Sequence, residues 1–300
     1  MIRSLAWTVL ALSLPALADE APARLAALTI ENDFFAGYDH HYTNGMQAAF
    51  VVSPRTVFAV GQRIYTPTNT DIADPDPRDR PYAGWLYAMV DRRLDTRGTI
   101  DHLTFSLGVV GPASLGRQVQ NGVHRIIGDA ESVGWSHQLH NEPTMMVGYE
   151  RAWPAVLSGT LGRQSFDVAP RVGGALGNVL TYANVGAVVR YGRNLPGDIP
   201  VTHISLGPPR DGYRGTPEFG WYVWAGLDGR AVARNMFLDG NTFRDSPSVS
   251  RKPFGYDSQV GFALAWPSAR VGFTFVQRSH EFDGQVGNDR FGQLAISFAY

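Results

Sequence analysis

The stretch "QLAISFAY", Gln293 to Tyr300, decides the fold class. Leu294, Ile296, Phe298 and Tyr300 alternate with Gln293, Ala295, Ser297 and Ala299, so an extended chain puts every large apolar group on one side. The same division recurs upstream. In "VGFTFVQRS", Val271, Phe273 and Phe275 oppose Gly272, Thr274 and Arg278; Leu103, Phe105, Leu107 and Val109 oppose Thr104, Ser106 and Gly108; Leu28 and Ile30 oppose Thr29 and Glu31. Similar runs near 45–53, 57–65, 83–92, 143–151, 164–172, 180–191, 219–230 and 257–266 bring the total to about twelve strands. Their lengths approach the ~9–11 residues of a tilted membrane strand.

Alternation alone does not separate lipid from a protein core, and a soluble periplasmic β-sandwich shows it too. Three features favour an antiparallel transmembrane β-barrel of about twelve strands. The strand count is even, the last alternation ends on an aromatic in the manner of the C-terminal signal read by barrel assembly machinery, and the chain begins with a secretory signal. In "MIRSLAWTVLALSLPALADE", Arg3 precedes an apolar run from Leu5 to Leu17 and the small residues Ala16 and Ala18, the pattern of a signal peptide over 1–18. Residues 19–300 then read as a single barrel domain. Tyr149, Trp153, Trp221, Trp224 and Trp266, near strand ends, suit interfacial girdles.

Composition narrows the rest. Although 44% of residues are hydrophobic, no later run reaches the length of a spanning helix, so membrane passage requires a closed sheet. Cysteine is absent, which removes disulfides and thiolate metal sites. A formal net charge of -1 gives no basic stripe for a nucleic acid. Two segments interrupt the strands. "TPTNTDIADPDPRDRP", 66–81, reads as a loop, and in 113–139 the apolar Leu115, Val119, Val123, Ile126 and Ile127 fall at helical spacing, predicting a short helix that caps or packs into the barrel mouth.

Chemistry concentrates at the end of the first strand. "IENDFFAGYDHHYTNG", 30–45, gathers Glu31, Asn32, Asp33, His41 and Thr43, and its oxygens suit a hard cation such as Ca²⁺, although an acidic rim turn reads equally well. With Ile30 toward lipid, Glu31 and Asp33 point into the lumen and Asn32 points outward if the strand stays regular to Asp33. His124, in "QNGVHRIIG", is half-buried on a helix and suits a general base or a structural hydrogen bond; Glu131 stands seven residues on, near enough to orient its ring. The chain has neither G-x-S-x-G nor H-E-x-x-H, which argues against a common serine hydrolase or zincin.

Five ordered blocks, "ENDFFAGYDHHYTNG" (31–45), "GQRIYTP" (61–67), "DRPYAGWLY" (79–87), "VQNGVHRIIG" (119–128) and "GWSHQLHNEP" (134–143), resemble the lipid A 3'-O-deacylases of Gram-negative outer membranes. The resemblance implies a calcium-dependent ester hydrolase that removes the 3'-linked acyloxyacyl group of lipid A, with lipopolysaccharide as substrate and outer-membrane lipid around it. By position it implies His124 as catalytic base, Asn32 and Asp33 at the site with Asp33 nearest the Ca²⁺, Arg80 as holder of a lipid A phosphate, and Thr43 and Glu131 as further site residues. An outer-membrane phospholipase and a non-catalytic barrel or pore, its lumen lined by Arg171, Arg190, Arg230 and Arg270, are the alternatives.

Overall fold

The computed structural model describes residues 24–37, 41–96, 98–198 and 213–300. The signal peptide expected over 1–18, and Tyr38, Asp39 and His40 of the polar stretch, lie outside the described residues.

Among the described residues the strands are β1 (Arg24–Asn32), β2 (His41–Ser53), β3 (Thr56–Thr66), β4 (Ala83–Thr96), β5 (Thr99–Val110), β6 (Glu142–Ala152), β7 (Leu157–Leu161), β8 (Gln164–Gly177), β9 (Leu180–Arg193), β10 (Gly220–Asn235), β11 (Phe254–Ala265), β12 (Ala269–Arg278) and β13 (Asp289–Phe298). Each pairs antiparallel with its neighbours. β1 pairs with β13 and β6 pairs with β8, so twelve strands close into a ring and β7 hangs on β8 as an extra short strand. Closure leaves no sheet edge within the wall, which is what hydrocarbon demands.

Burial settles the question that alternation left open. Along β5, Leu103, Phe105 and Leu107 are exposed while Thr104 and Ser106 are buried, and along β1, Leu28 and Ile30 are exposed while Thr29 and Glu31 are buried. A sandwich in water would show the reverse, because its apolar side would be the core. The apolar faces therefore look out at lipid and the polar faces look into the lumen.

The lumen is filled rather than open. Buried arginines bridge to buried aspartates, from strand to strand in Arg190 to Asp167 at 2.6 Å, Arg230 to Asp257 at 2.7 Å, Arg278 to Asp257 at 3.0 Å and Arg171 to Asp228 through Nε at 2.8 Å, and from β12 to the connection after β9 in Arg270 to Asp198 at 2.6 Å. Among the described residues, voids of about 10 and 20 Å³ lie beside Arg230 and Glu281, room for a water or two. Trp224, expected in a girdle, faces inward instead. It is buried over Gly261, where an added Cβ would lie 2.2 Å from the indole, so the strand can pass only because that residue is glycine.

The two rims differ. At the rim where β1 ends, long connections run over 67–82, 111–141, 236–253 and 279–288; at the other rim the turns 54–55 and 266–268 are short and one connection, 194–219, is long. Long loops belong on the cell exterior in such barrels. The connection 236–253 folds inward over the lumen through a four-residue helix, α2 (Met236–Asp239). There Phe237 stacks on Tyr65 at a centroid distance of 4.2 Å.

The helix expected in 113–139 forms as α1 (Gly116–Ile127), but its seat differs from expectation. It packs on β3 and β4 outside the barrel, not in the mouth. Gln62 and Ile64 share the lipid-side parity of exposed Val60 yet are themselves buried, because Gln62 donates to the Ser114 carbonyl at 2.6 Å and Ile64 is covered by Tyr82, Trp135 and Val119. The buried face of α1 is Gly116, Gln120, Asn121 and His124, whereas Val123 and Ile126 stay exposed. Helical period was legible, but the apolar residues divide, Val119 packing inward on Ile64 while Leu115, Val123 and Ile126 stay exposed.

Candidate active site

The site is built where strand ends meet α1. β1 stays extended to Asn32, which therefore shares the outward side with Leu28 and Ile30, and the chain then tightens into a 3-10 turn over Asp33–Ala36. Asn32 caps that turn. Its Oδ1 accepts from the Phe34 N–H at 2.8 Å and its Nδ2 donates to the Thr43 carbonyl at 2.8 Å, tying the end of β1 to the start of β2. Asp33 is buried at the first position of the turn. Thr43 is the extra residue of a bulge between Tyr42 and Asn44, and its hydroxyl meets that of Thr66 at 2.7 Å.

Register carries this rim to the helix. Asn32 pairs with Asn44, and Asn44 with Ile64, so these three form one outward row across β1, β2 and β3. At the usual strand spacing the row spans about 10 Å. Ile64 lies beneath Val119 of α1, and His124 follows about 7.5 Å further along the helix axis. Asn32 and Ile64 thus lie along one outer row of the rim, with Thr43 bonded to Thr66 near it and α1, which carries His124, packed at its β3 end.

Close backbone contact seats α1 there. A Cβ on Gly84 would lie 2.2 Å from the Ser114 hydroxyl and 3.0 Å from Gly116 Cα, and one on Gly116 would lie 3.0 Å from the Trp135 ring. Trp135 donates its indole N–H to Gln120 Oε1 at 3.0 Å. His124, buried, is one helical turn beyond Gln120 on the same face. Its Nδ1 lies 2.5 Å from the carbonyl oxygen of Ala130. A carbonyl only accepts, so Nδ1 carries the proton and, in the neutral ring, Nε2 carries the lone pair.

Glu131 does not orient the ring. Its exposed carboxylate accepts from Asn121 Nδ2 at 3.3 Å and stands 3.6 Å from Arg125 Nε. The Ala130 carbonyl takes the place that sequence reasoning gave to Glu131. A main-chain acceptor has no side-chain signature, and the only available signal was Gly128, whose left-handed φ of 80° turns the chain back toward the helix.

Arg80 is on the wrong side of the wall for a phosphate in the outer leaflet. Its guanidinium is buried in the lumen, 3.4 Å from Glu281, 3.9 Å from Asp289 and 4.6 Å from the centre of the Tyr65 ring. It belongs to a network in which His41 Nδ1 lies 2.5 Å from Asp289 and Nε2 lies 3.4 Å from Asp79 and 3.0 Å from the Thr68 hydroxyl. Burial alone would push the Asp79 carboxyl up, but hydrogen bonds from His41 and from the Thr68 N–H outweigh it and hold that carboxyl well below its ordinary range. Glu31 is also lumenal, accepting from the Tyr42 hydroxyl at 2.5 Å.

As for a cation, no group of three or more His, Asp or Glu side chains converges among the described residues. The rim offers one carboxylate, Asp33, with the amide oxygen of Asn32 and the hydroxyls of Thr43 and Thr66. That oxygen set fits a hard cation completed by water and substrate and does not fit zinc.

Comparison with known proteins agrees with this architecture. The family model described as outer membrane protein LpxR matches residues 5–300. The solved LpxR from Salmonella typhimurium superposes with a TM-score of 0.78 at 22% identity, covering 92% of this chain and 100% of that one. The β domain of the Bordetella autotransporter BrkA gives a TM-score of 0.46 at 7% identity, covering 92% of this chain and 98% of that one, a likeness too low to carry an argument. No curated protein matches the sequence. With the family model spanning nearly the whole chain and the barrel closed as in the Salmonella protein, the chain belongs to the outer membrane protein LpxR family, the lipid A 3'-O-deacylases of the Gram-negative outer membrane.

Proposed function

We propose that this outer-membrane lipid A deacylase works by a water nucleophile activated at His124, with Ca²⁺ at the adjoining rim. The observation that carries the reading is the His124 ring itself: buried on the sheet-facing side of α1, proton fixed on Nδ1 by the Ala130 carbonyl, lone pair on Nε2. Nε2 removes a proton from water, the resulting hydroxide adds to the ester carbonyl, and the tetrahedral intermediate collapses with return of that proton to the sugar oxygen. The products are the free acyloxyacyl acid and the 3'-hydroxyl.

Asp33, with neutral oxygens of Asn32 and Thr43, would hold the calcium ion, which when bound would polarise the ester carbonyl. Asn32 also fixes the rim: both ends of its amide are committed to backbone, so it sets where Asp33 and Thr43 stand. A lipid ester must arrive sideways from the outer leaflet, and an outward-facing corner flanked by exposed Phe34, Phe35, Val123 and Ile126 suits that approach.

Mass spectrometry of lipid A from Gram-negative cells expressing the chain tests the reading. Wild type is expected to remove the 3'-acyloxyacyl mass. His124→Ala, folded in the outer membrane, is expected to lose activity by about 10²–10⁴-fold. In detergent, chelation is expected to abolish turnover and Ca²⁺ to restore it. Full activity of His124→Ala would sink the base assignment, and full activity in chelator would sink the calcium assignment.

A further inference from the structure

We infer that Asn121 is a positioning residue for His124, a role that rests on the reading of His124 as the base. Asn121 precedes His124 by three residues, so both project from the same side of α1, and both are buried. Its side-chain amide makes a two-way bond with the backbone of one residue of the returning chain. Nδ2 donates to the Ser132 carbonyl at 3.2 Å and Oδ1 accepts from the Ser132 N–H at 3.1 Å. Among uncharged side chains only a carboxamide offers donor and acceptor in one plane at this spacing.

The consequence falls on the residue that touches the imidazole. α1 ends at Gly128, whose N–H and that of Asp129 both return to the His124 carbonyl. From there Asp129, Ala130 and Glu131 are exposed on one side and would follow any path that the solvent allowed. Clamping Ser132 to Asn121 closes this excursion, so residues 128–132 form a short loop anchored at both ends on the helix. Ala130 sits inside it with its carbonyl held against Nδ1 of His124. Which nitrogen of a histidine keeps the proton is set by the bond the other one makes. Asn121 thereby keeps the lone pair on Nε2 without touching the ring.

The experiment compares wild type, Asn121→Ala, Asn121→Asp and His124→Ala as full-length barrels purified in detergent, with folding checked by heat-modifiable migration. Turnover of lipid A is measured for kcat and KM, and the His124 tautomer is read by ¹⁵N NMR of histidine-labelled protein, with His124→Ala assigning the resonance. Expected are a kcat loss of about 10- to 100-fold in Asn121→Ala with KM within about twofold, and loss of the Nδ1–H signature. Asn121→Asp, which keeps the acceptor for Ser132 but not the donor, is expected to fall between the two. If Asn121→Ala does not fold, Asn121→Asp is read against the same two criteria.

A folded Asn121→Ala that keeps both kcat and the Nδ1–H tautomer overturns the inference. So does one that loses the tautomer yet keeps kcat while His124→Ala is inactive. If His124→Ala itself stays fully active, the base assignment has failed, and the tautomer measurement alone then decides whether Asn121 holds the ring.

Discussion

His124 and Arg80 stand on opposite faces of one stretch of wall, and that difference governs what each can do. Both belong to sequence blocks that pointed to the family, and residue type made a phosphate contact for Arg80 reasonable. Its partners are instead lumenal: Glu281, Asp289 and the face of Tyr65. Removing one member of a buried charge network leaves its counter-ions uncompensated, at a cost of about 3–5 kcal/mol. Arg80→Ala is therefore expected to lower the thermal unfolding midpoint of the detergent-solubilised barrel while leaving KM of the folded fraction for lipid A unchanged. A KM rise of tenfold or more at unchanged stability would restore the phosphate role. His124 was singled out by the resemblance, since its helical context alone reads equally as a base or a structural histidine. The Ala130 carbonyl that orients it was not, since every residue carries a carbonyl and only the turn at Gly128 aims this one.

At the scale of elements, the decisive contact is helix on strand. Gly84 of β4 and Gly116 of α1 approach so closely that a Cβ on Gly84 would strike Ser114 and Gly116 together. Gly84→Val is expected to prise α1 from the wall, leaving a barrel that still folds and inserts because β4 keeps its backbone ladder. Its deacylation of lipid A is expected to drop by at least about 10-fold, the scale on which small misplacements of catalytic groups act, and limited proteolysis is expected to cut within 111–141 faster than in wild type. Unchanged activity and protection would mean that α1 is seated by Trp135 and Val119 alone. The apolar spacing of Val119, Val123 and Ile126 announced the helix but not its orientation. Beside lipid, an exposed Ile126 carries no hydration cost, so the usual inference from apolar face to protein core does not apply.

For the whole molecule, the paired lumen decides between enzyme and pore. Arg171, Arg190, Arg230 and Arg270 do point inward, as strand parity suggested, but each meets an aspartate, and α2 covers the external mouth with Phe237 over Tyr65. Reconstituted in planar bilayers, the barrel is expected to show no stable ohmic conductance; steady open-channel current would mean that 236–253 lifts away and the ion pairs part. The sequence by itself determined the strand count, the alternation and the position of the catalytic candidates, because period-2 patterning and motif order are local properties of the chain. Only the tertiary structure decided that the apolar side faces lipid, that α1 lies outside the wall and that Arg80 lies within it. Those outcomes depend on barrel closure and on contacts between residues far apart in the chain, such as Arg80 with Glu281 and Asp289, which no local pattern encodes.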